Sequence, residues 1–295
     1  MTTAQTTSQR TGWEALVYRF RLGQKLQMLL AHAMLLGYTL LAIGPVWLIV
    51  MNSFKSRKAI FKTPYALPTS ETWDLIGYET VAKRANFPHY FLNSTIVTIT
   101  SLAFILFFAT MAAWALAEYQ FPGNHVLQLF FALGIMIPLR LGTVTLLRLM
   151  VKIHLVDTLW ALILVYTAQG LPLSIFILTH FMQTVPRDLK DAARVDGASE
   201  YRIYRMILPL VRPAIGTVLV FNMIPIWNDL WFPLILAPSE QNKTITLGAQ
   251  IFLGQFLMDW NAVLASLTLA MVPMIVLYIL FSRQLIRGLT AGAIK

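Results

Sequence analysis

The chain has 295 residues, of which 57% are hydrophobic and only 12% charged, and its mean hydropathy is +0.66. A soluble globular domain carries roughly 25% charged residues, so this composition excludes a water-soluble fold, a disordered chain and a collagen-like repeat and points to one polytopic membrane domain. The absence of cysteine excludes disulfides, thiolate metal sites, iron–sulfur clusters and cysteine nucleophiles, and the net charge of +10 fits anchoring at an anionic membrane surface rather than nucleic-acid binding.

The first predicted element is amphipathic. Trp13, Leu16, Val17 and Phe20 fall at helical spacing beside Arg19, Arg21 and Lys25, which suits a helix on the membrane surface or an extension of the first span. Uncharged runs then mark the spans, because a bilayer core needs about 20 apolar residues per helix. Six helices are expected, at roughly 28–53, 89–117, 126–147, 158–182, 209–238 and 262–282. The runs are too long and unbroken for barrel strands, and the first is too long for a signal peptide. The resulting division is an N-terminal tail 1–27, a transmembrane domain 28–282 and a C-terminal tail 283–295.

Six spans put both termini on one side. With that side inside, thirteen Lys/Arg lie inside and nine outside, six of these in 54–88. This bias is too small to settle orientation. The stretch 239–261 contains an uncharged run, 244–258, too short to cross a bilayer, and reads as an interfacial or re-entrant segment.

The polar connection from Thr184 to Pro213 carries the most legible local signals. Pro186 suits the first turn of a helix, and Asp188 and Asp191 sit near the positive end of its dipole. Leu189, Ala192, Ala193 and Asp196 follow helical spacing. Gly197 can take the left-handed conformation that ends a helix, and Ser199 can cap the next one, beginning at Glu200. Two short helices joined by a bend, with a small-residue patch ringed by charge, form a shape for docking into another protein or, more plainly, a solvated loop.

Asp229 is the sharpest feature within a predicted span. A charge there costs about 2.5–3.5 kcal/mol on insertion scales and should face a cavity or a partner. Pro225 and Pro233 free the carbonyls of Phe221 and Asp229. Those carbonyls, with Asn222, Asn228 and Asp229, would suit the hydroxyls of a polar solute, and Trp227 could stack on a face of it. Alternatively, Trp227-Asn228-Asp229 is a kink hydrogen-bonded within the bundle, and Arg140 either lines the path or pairs with Asp229 or a partner subunit. The five histidines show no metal-ligand spacing. The sequence has no GxxxxGK[ST], GxSxG or HExxH, so neither ATP binding nor hydrolase chemistry is expected of the chain itself.

Asp191-Ala192-Ala193, Asp196-Gly197-Ala198 and Ile207-Leu208-Pro209 resemble the EAA loop of bacterial ABC-importer permeases. Together with Asn93-Ser94, Glu118-Tyr-Gln-Phe-Pro-Gly123, Trp227-Asn228-Asp229 and the tail from Arg287, they make most of the chain similar to the maltose-type sugar importer permeases, specifically the subunit with a short first outside loop. Asp191 stands where that family usually has Glu, and the stretch from Gly197 to Pro209 is one residue shorter than the usual pattern. The resemblance implies an all-α type I ABC importer permease with both termini and the EAA loop, 184–208, in the cytoplasm of a bacterial inner membrane. It implies a second homologous permease, two ATPase subunits that use ATP and Mg, and an extracytoplasmic solute-binding protein as partners. This chain would bind no cofactor and catalyse nothing. Asp188, Leu189, Asp191, Ala192, Ala193, Asp196, Gly197, Ala198 and Ser199 would contact the ATPase. Gly248, Gln250 and Gly254 would face the binding protein, and the tail after Arg287 would touch the ATPase dimer. An ABC permease for a non-sugar solute and a secondary transporter are the alternatives.

Overall fold

A computed structural model describes residues 12–253 and 259–291. Gly254 and residues 292–295 lie outside them, and side chains before residue 25 and after residue 280 are not described. Among the described residues the regular structure is helical, with one isolated β-bridge between Lys55 and Trp73. In chain order the helices are α1 (Gly12–Ser53), α2 (Arg57–Lys62), α3 (Ile76–Arg84), α4 (Phe87–Glu118), α5 (Asn124–Met136), α6 (Thr143–Lys152), α7 (Leu159–Gln183), α8 (Arg187–Val195), α9 (Glu200–Ile207), α10 (Arg212–Asn228), α11 (Trp231–Leu236), α12 (Ile245–Ala249) and α13 (Trp260–Ala291).

Three helices are long and apolar enough to cross a membrane, at Lys25–Ser53, Phe87–Glu118 and Leu159–Gln183. The expected third span, 126–147, is instead α5 and α6, joined through a 3-10 turn at Leu139–Gly142 and bent by 82°. The expected fifth, 209–238, breaks between α10 and α11. The second bent pair is α9 with α10, at 72°, and counting each bent pair as one span gives up to five among the described residues. The expected first span and the amphipathic segment before it are one helix, since α1 runs unbroken through residue 27.

The bundle is organised on α4 and α7. Their contact is made of small residues: Ala109 and Ala113 on α4, Ala161, Gly170 and Ser174 on α7, all buried. Small side chains let two backbones approach where lipid supplies no hydrophobic drive for association. Ile203 and Ile207 of α9, Val211 and Ala214 join this core from below the elbow. A second core cluster gathers Val81, Tyr90, Ile245, Ala262 and Ala265 from α3, α4, α12 and α13. α1 is exposed along much of its described length, with Met34 and Leu41 more than three-quarters exposed, and is buried at its C-terminal end at Met51, Asn52 and Ser53. In a membrane chain such a face meets lipid or another subunit.

Gly170 marks the closest approach. A Cβ built there would lie 2.4 Å from both Asn222 Oδ1 and Ile105 Cδ1. Gly170→Val should therefore lower stability by about 1–3 kcal/mol, the usual range for overpacking. A reduced melting temperature of the detergent-purified protein checks this, and an unchanged one would mean that α10 yields freely.

Candidate functional site: an elbow and a polar cavity

The connection after α7 folds as the sequence predicts, with one shift. Pro186 is the N-cap of α8 rather than its first residue, with φ −52° and ψ 134°. Gly197 is left-handed at φ 76°. The Gly197 amide donates to Arg194 O at 3.0 Å and the Ala198 amide to Ala193 O at 2.9 Å, the paired bonds of a Schellman end. Ser199 Oγ accepts from the Arg202 amide and starts α9. The elbow thus uses glycine where L side chains are strained, and a Cβ there would meet nothing within 4 Å in this chain.

The elbow's two faces differ. Asp188, Leu189, Asp191, Ala192, Asp196, Gly197 and Ser199 are exposed, and so is Val195, which the sequence reading passed over. Ala193 and Ala198 are half-buried and pack against the main core. The two alanines, read as one patch, therefore point to opposite sides.

What holds the elbow to the bundle is a buried charge cluster. Glu118, the last residue of α4, takes Lys190 Nζ at 2.6 Å on one oxygen and Arg194 Nη2 at 2.5 Å on the other. Lys190 and Arg194 are four apart on α8 and so share a face. Arg194 also reaches Asp191 at 2.8 Å and Glu200 at 2.9 Å, and Tyr119 donates to Glu200 at 2.9 Å. Lys190 lies over the Trp114 ring, 5.9 Å from its centroid. Hydrogen bonds that Arg194 donates to Glu200 and Glu118, and a weaker one to Asp191, raise its pKa against the opposing effect of desolvation. The Arg194 bond in turn holds Glu200 below the usual carboxylate range. Both groups are therefore charged at neutral pH, and the cluster is a fixed tie, not a pH switch. The signal for Glu118 in the sequence was a lone carboxylate closing a 32-residue helix that is otherwise uncharged.

The second feature lies at the α10–α11 break. The Asp229 carboxylate accepts from the Trp231 amide at 3.3 Å and the Phe232 amide at 3.1 Å, so it satisfies the first amides of α11. It also accepts from Tyr166 Oη at 2.9 Å and lies 3.7 Å from Arg140 Nη2. The Asp229 carbonyl, freed because Pro233 has no N–H, accepts from Thr246 Oγ1 at 2.7 Å. It is thus not available to a ligand, contrary to expectation. Trp227 is also placed differently. It is 4% exposed in the second core cluster, its indole donates to Ala270 O at 3.2 Å, and it cannot stack on a solute there. Asn222 is buried and donates to Ser174 Oγ at 3.0 Å and Val218 O at 2.8 Å. Asn228 is exposed and bonds back to Ile224 O.

Arg140, Asn222, Asn228 and Asp229 nevertheless share one cavity of about 640 Å³, together with Tyr166, Gln169 and Trp231. Its two charges, Arg140 and Asp229, lie 3.7 Å apart, so its lining mixes polar and apolar side chains and is close to neutral. A larger cavity, about 940 Å³, lies between α4, α10 and α13, but its lining is almost wholly apolar, which suits lipid or helix packing more than a hydrophilic solute. Tyr166 and Gln169 were missed in the sequence because they sit in an uncharged run.

The segment 239–252 is held by the N-terminal end of α4. Asn93 Nδ2 donates to Gln241 O and Lys243 O at 2.8 and 3.0 Å, and the Ile245 amide donates to Ser94 Oγ at 2.8 Å. Tyr90 bonds to Glu240. Gly248 is buried against Tyr90, and a Cβ there would lie 2.2 Å from the ring. The expectation that Gly248 faces a partner is therefore corrected: the chain itself covers residues 244–249. Gln250 is half-buried, and Gly254 lies outside the described residues.

An all-α membrane protein with an exposed helical elbow and a cavity at a helix break is the class these features define. Residues 105–291 match the family described as binding-protein-dependent transport system inner membrane component, and the chain belongs to that family. It is 30% identical over 90% of its length to a diacetylchitobiose uptake system permease protein of Streptomyces coelicolor, covering 88% of that protein. It is 32% identical over 87% of its length to a protein of Thermoanaerobacterium thermosulfurigenes described as a starch degradation products transport system permease, covering 93% of it. Its fold is similar to a chain of a bacterial ABC transporter involved in alginate import, with a TM-score of 0.76 at 19% identity, covering 88% of this chain and 97% of that one. The secondary-transporter alternative finds no support in these likenesses.

The charge cluster makes a specific prediction. Glu118→Leu leaves Lys190 buried and unpaired, which should cost about 3–5 kcal/mol. Adding Lys190→Met should recover much of that loss. Melting of the purified variants measures both, and no recovery in the double variant would mean that packing, not charge, holds the elbow.

Asp229 gives another. Asp229→Leu strips the α11 amides and the Tyr166 hydroxyl of their acceptor, each unmade bond costing about 1–3 kcal/mol, so its yield should fall sharply. Asp229→Asn keeps an acceptor oxygen and should fold, with altered transport. Equal yields of both variants would remove the structural role.

Proposed function

We propose that the chain is the translocation-pathway subunit of an ATP-driven, binding-protein-dependent importer of neutral sugars. The observation that carries the solute class is the 640 Å³ cavity whose two charges are paired with each other. Amides and hydroxyls in a near-neutral pocket suit hydroxyl-rich ligands, and the sugars in the names of the two relatives above support the same class. The cavity is half of a path, completed by a second, homologous permease. The exposed elbow face, with Leu189, Ala192, Val195 and Asp196, seats in a cleft of one of two ATPase subunits. ATP and Mg bind there, not on this chain, whose role is non-catalytic. The elbow and both termini lie in the cytoplasm of a bacterial inner membrane. Glu240, Gln241 and the exposed Ile251 then lie outside, where the solute-binding protein docks.

The test is reconstitution in liposomes with labelled maltotriose and diacetylchitobiose. The full complex with binding protein should take up at least one of them when ATP is supplied inside, and this chain alone should take up neither. Uptake by the single chain under an ion gradient would overturn the reading. Orientation has its own check in this cysteine-free background: Gln241→Cys should react with an impermeant thiol reagent added outside intact cells. Labelling from the cytoplasmic side alone would invert the topology.

A further inference from the structure

Below the polar cavity, α7 continues with an exposed stripe. Gln169 and Leu173 line the 640 Å³ cavity. Phe176, His180 and Gln183 follow at steps of three or four residues, so all five lie along one helix face. That stripe ends in two further cavities of about 340 and 790 Å³, both within the range of about 300–1,000 Å³ usual for small-molecule sites. They share His125, Gln128 and Gln183 in their linings, so they form one cleft between α5, the end of α7 and α8.

Three observations say what this cleft would take. Thr179 lines it, and its hydroxyl is buried with no hydrogen-bond partner. Buried hydroxyls are normally paired, so a small side-chain shift that turns this one to the cleft would give it the partner it lacks. The lining offers amides and imidazoles from Gln128, Gln183, His125 and His180, beside the exposed ring of Phe176. It contains no carboxylate, and Lys190, which borders it, has its charge taken by Glu118 at 2.6 Å. An anionic headgroup would find one uncommitted cation there, Arg187, at the exposed rim. A neutral polyhydroxylated solute would find the amide and imidazole groups of Gln183, His125 and His180 on one side and an apolar wall with the Phe176 ring on the other.

We propose that this cleft is a second, inner solute subsite, which receives the sugar after it leaves the Arg140–Asp229 cavity and before release next to the elbow. The proposal rests on the solute-path reading above and adds a stopping point to it. Since the elbow's α8 forms one wall of the cleft, movement of the ATPase against the elbow opens or closes the subsite directly.

The experiment uses Gln183→Cys in the otherwise cysteine-free chain, assembled with its partners in liposomes. A water-soluble, charged methanethiosulfonate reagent on the elbow side should label it without nucleotide. Saturating maltotriose or diacetylchitobiose should slow that labelling about tenfold. Thr179→Val should weaken the protection about fivefold, the usual effect of one lost hydrogen bond. Absence of labelling, as for a slot filled by lipid, overturns the proposal, and so does labelling that neither sugar slows or protection that Thr179→Val leaves unchanged. Uptake by the parental complex is read in parallel. Uptake without protection overturns the inner subsite alone, whereas neither uptake nor protection overturns the sugar reading and the subsite together.

Discussion

A broken helix inside a membrane must satisfy its own freed backbone groups, because lipid offers none of the partners that water would. The α10–α11 break meets that constraint through one residue. The Asp229 side chain takes the amides that begin α11, and its carbonyl goes to Thr246. Tyr166 and Arg140 then satisfy and neutralise the carboxylate. The break, the cavity beside it and the folding of α12 onto the bundle all follow from that arrangement. The cavity is polar because the break requires polar groups, and close to neutral because an unpaired charge at that depth is costly.

Much of this was legible in the sequence, and the reasons differ from residue to residue. Gly197 and Ser199 could be read because caps are local: their chemistry depends on a few neighbouring residues. The pairing of Arg140 with Asp229 was one of the readings the sequence offered, because a charge within an apolar span needs a partner or a cavity; Arg140 itself is largely exposed. Trp227 could not be placed, since an indole in an apolar run gives no clue to which side of its helix is covered, and Ala270 is 43 residues away. Gly248 invited the opposite error. An uncharged glycine-containing loop looks free for a partner, yet here the missing side chain is what lets the Tyr90 ring lie against the backbone.

The six expected spans show the same division. Run lengths located α4 and α7 to within about two residues, because hydropathy alone sets them. The run that became α5–α6 breaks at Pro138 and the 3-10 turn after it, and the α10–α11 break depends on Tyr166 and Thr246, supplied from elsewhere in the chain. Glu118 is the complementary case. Its position at the end of a long apolar helix was visible, but its importance needed Lys190 and Arg194, some seventy residues away, on the same face of α8.

These ties make α4 the strut of the molecule. At its N-terminal end Tyr90, Asn93 and Ser94 hold the 240–245 segment. At its C-terminal end Glu118 holds the elbow. A helix of 32 residues is about 48 Å long at 1.5 Å per residue, which exceeds the hydrocarbon core of about 30 Å. Each end is thus fastened beyond or at the edge of the apolar layer, where charged and polar ties are stable. Between the ends, α4 packs through small residues on α7, which carries Tyr166 to Asp229 and the stripe from Gln169 to Gln183. Glu118 thus ties α8 to α4 through Lys190 and Arg194, and α4 packs on α7, whose Tyr166 and Gln169 line the cavity. Close-packed contacts of this kind have low compressibility and transmit strain, so the elbow and the cavity wall belong to one continuous packed unit.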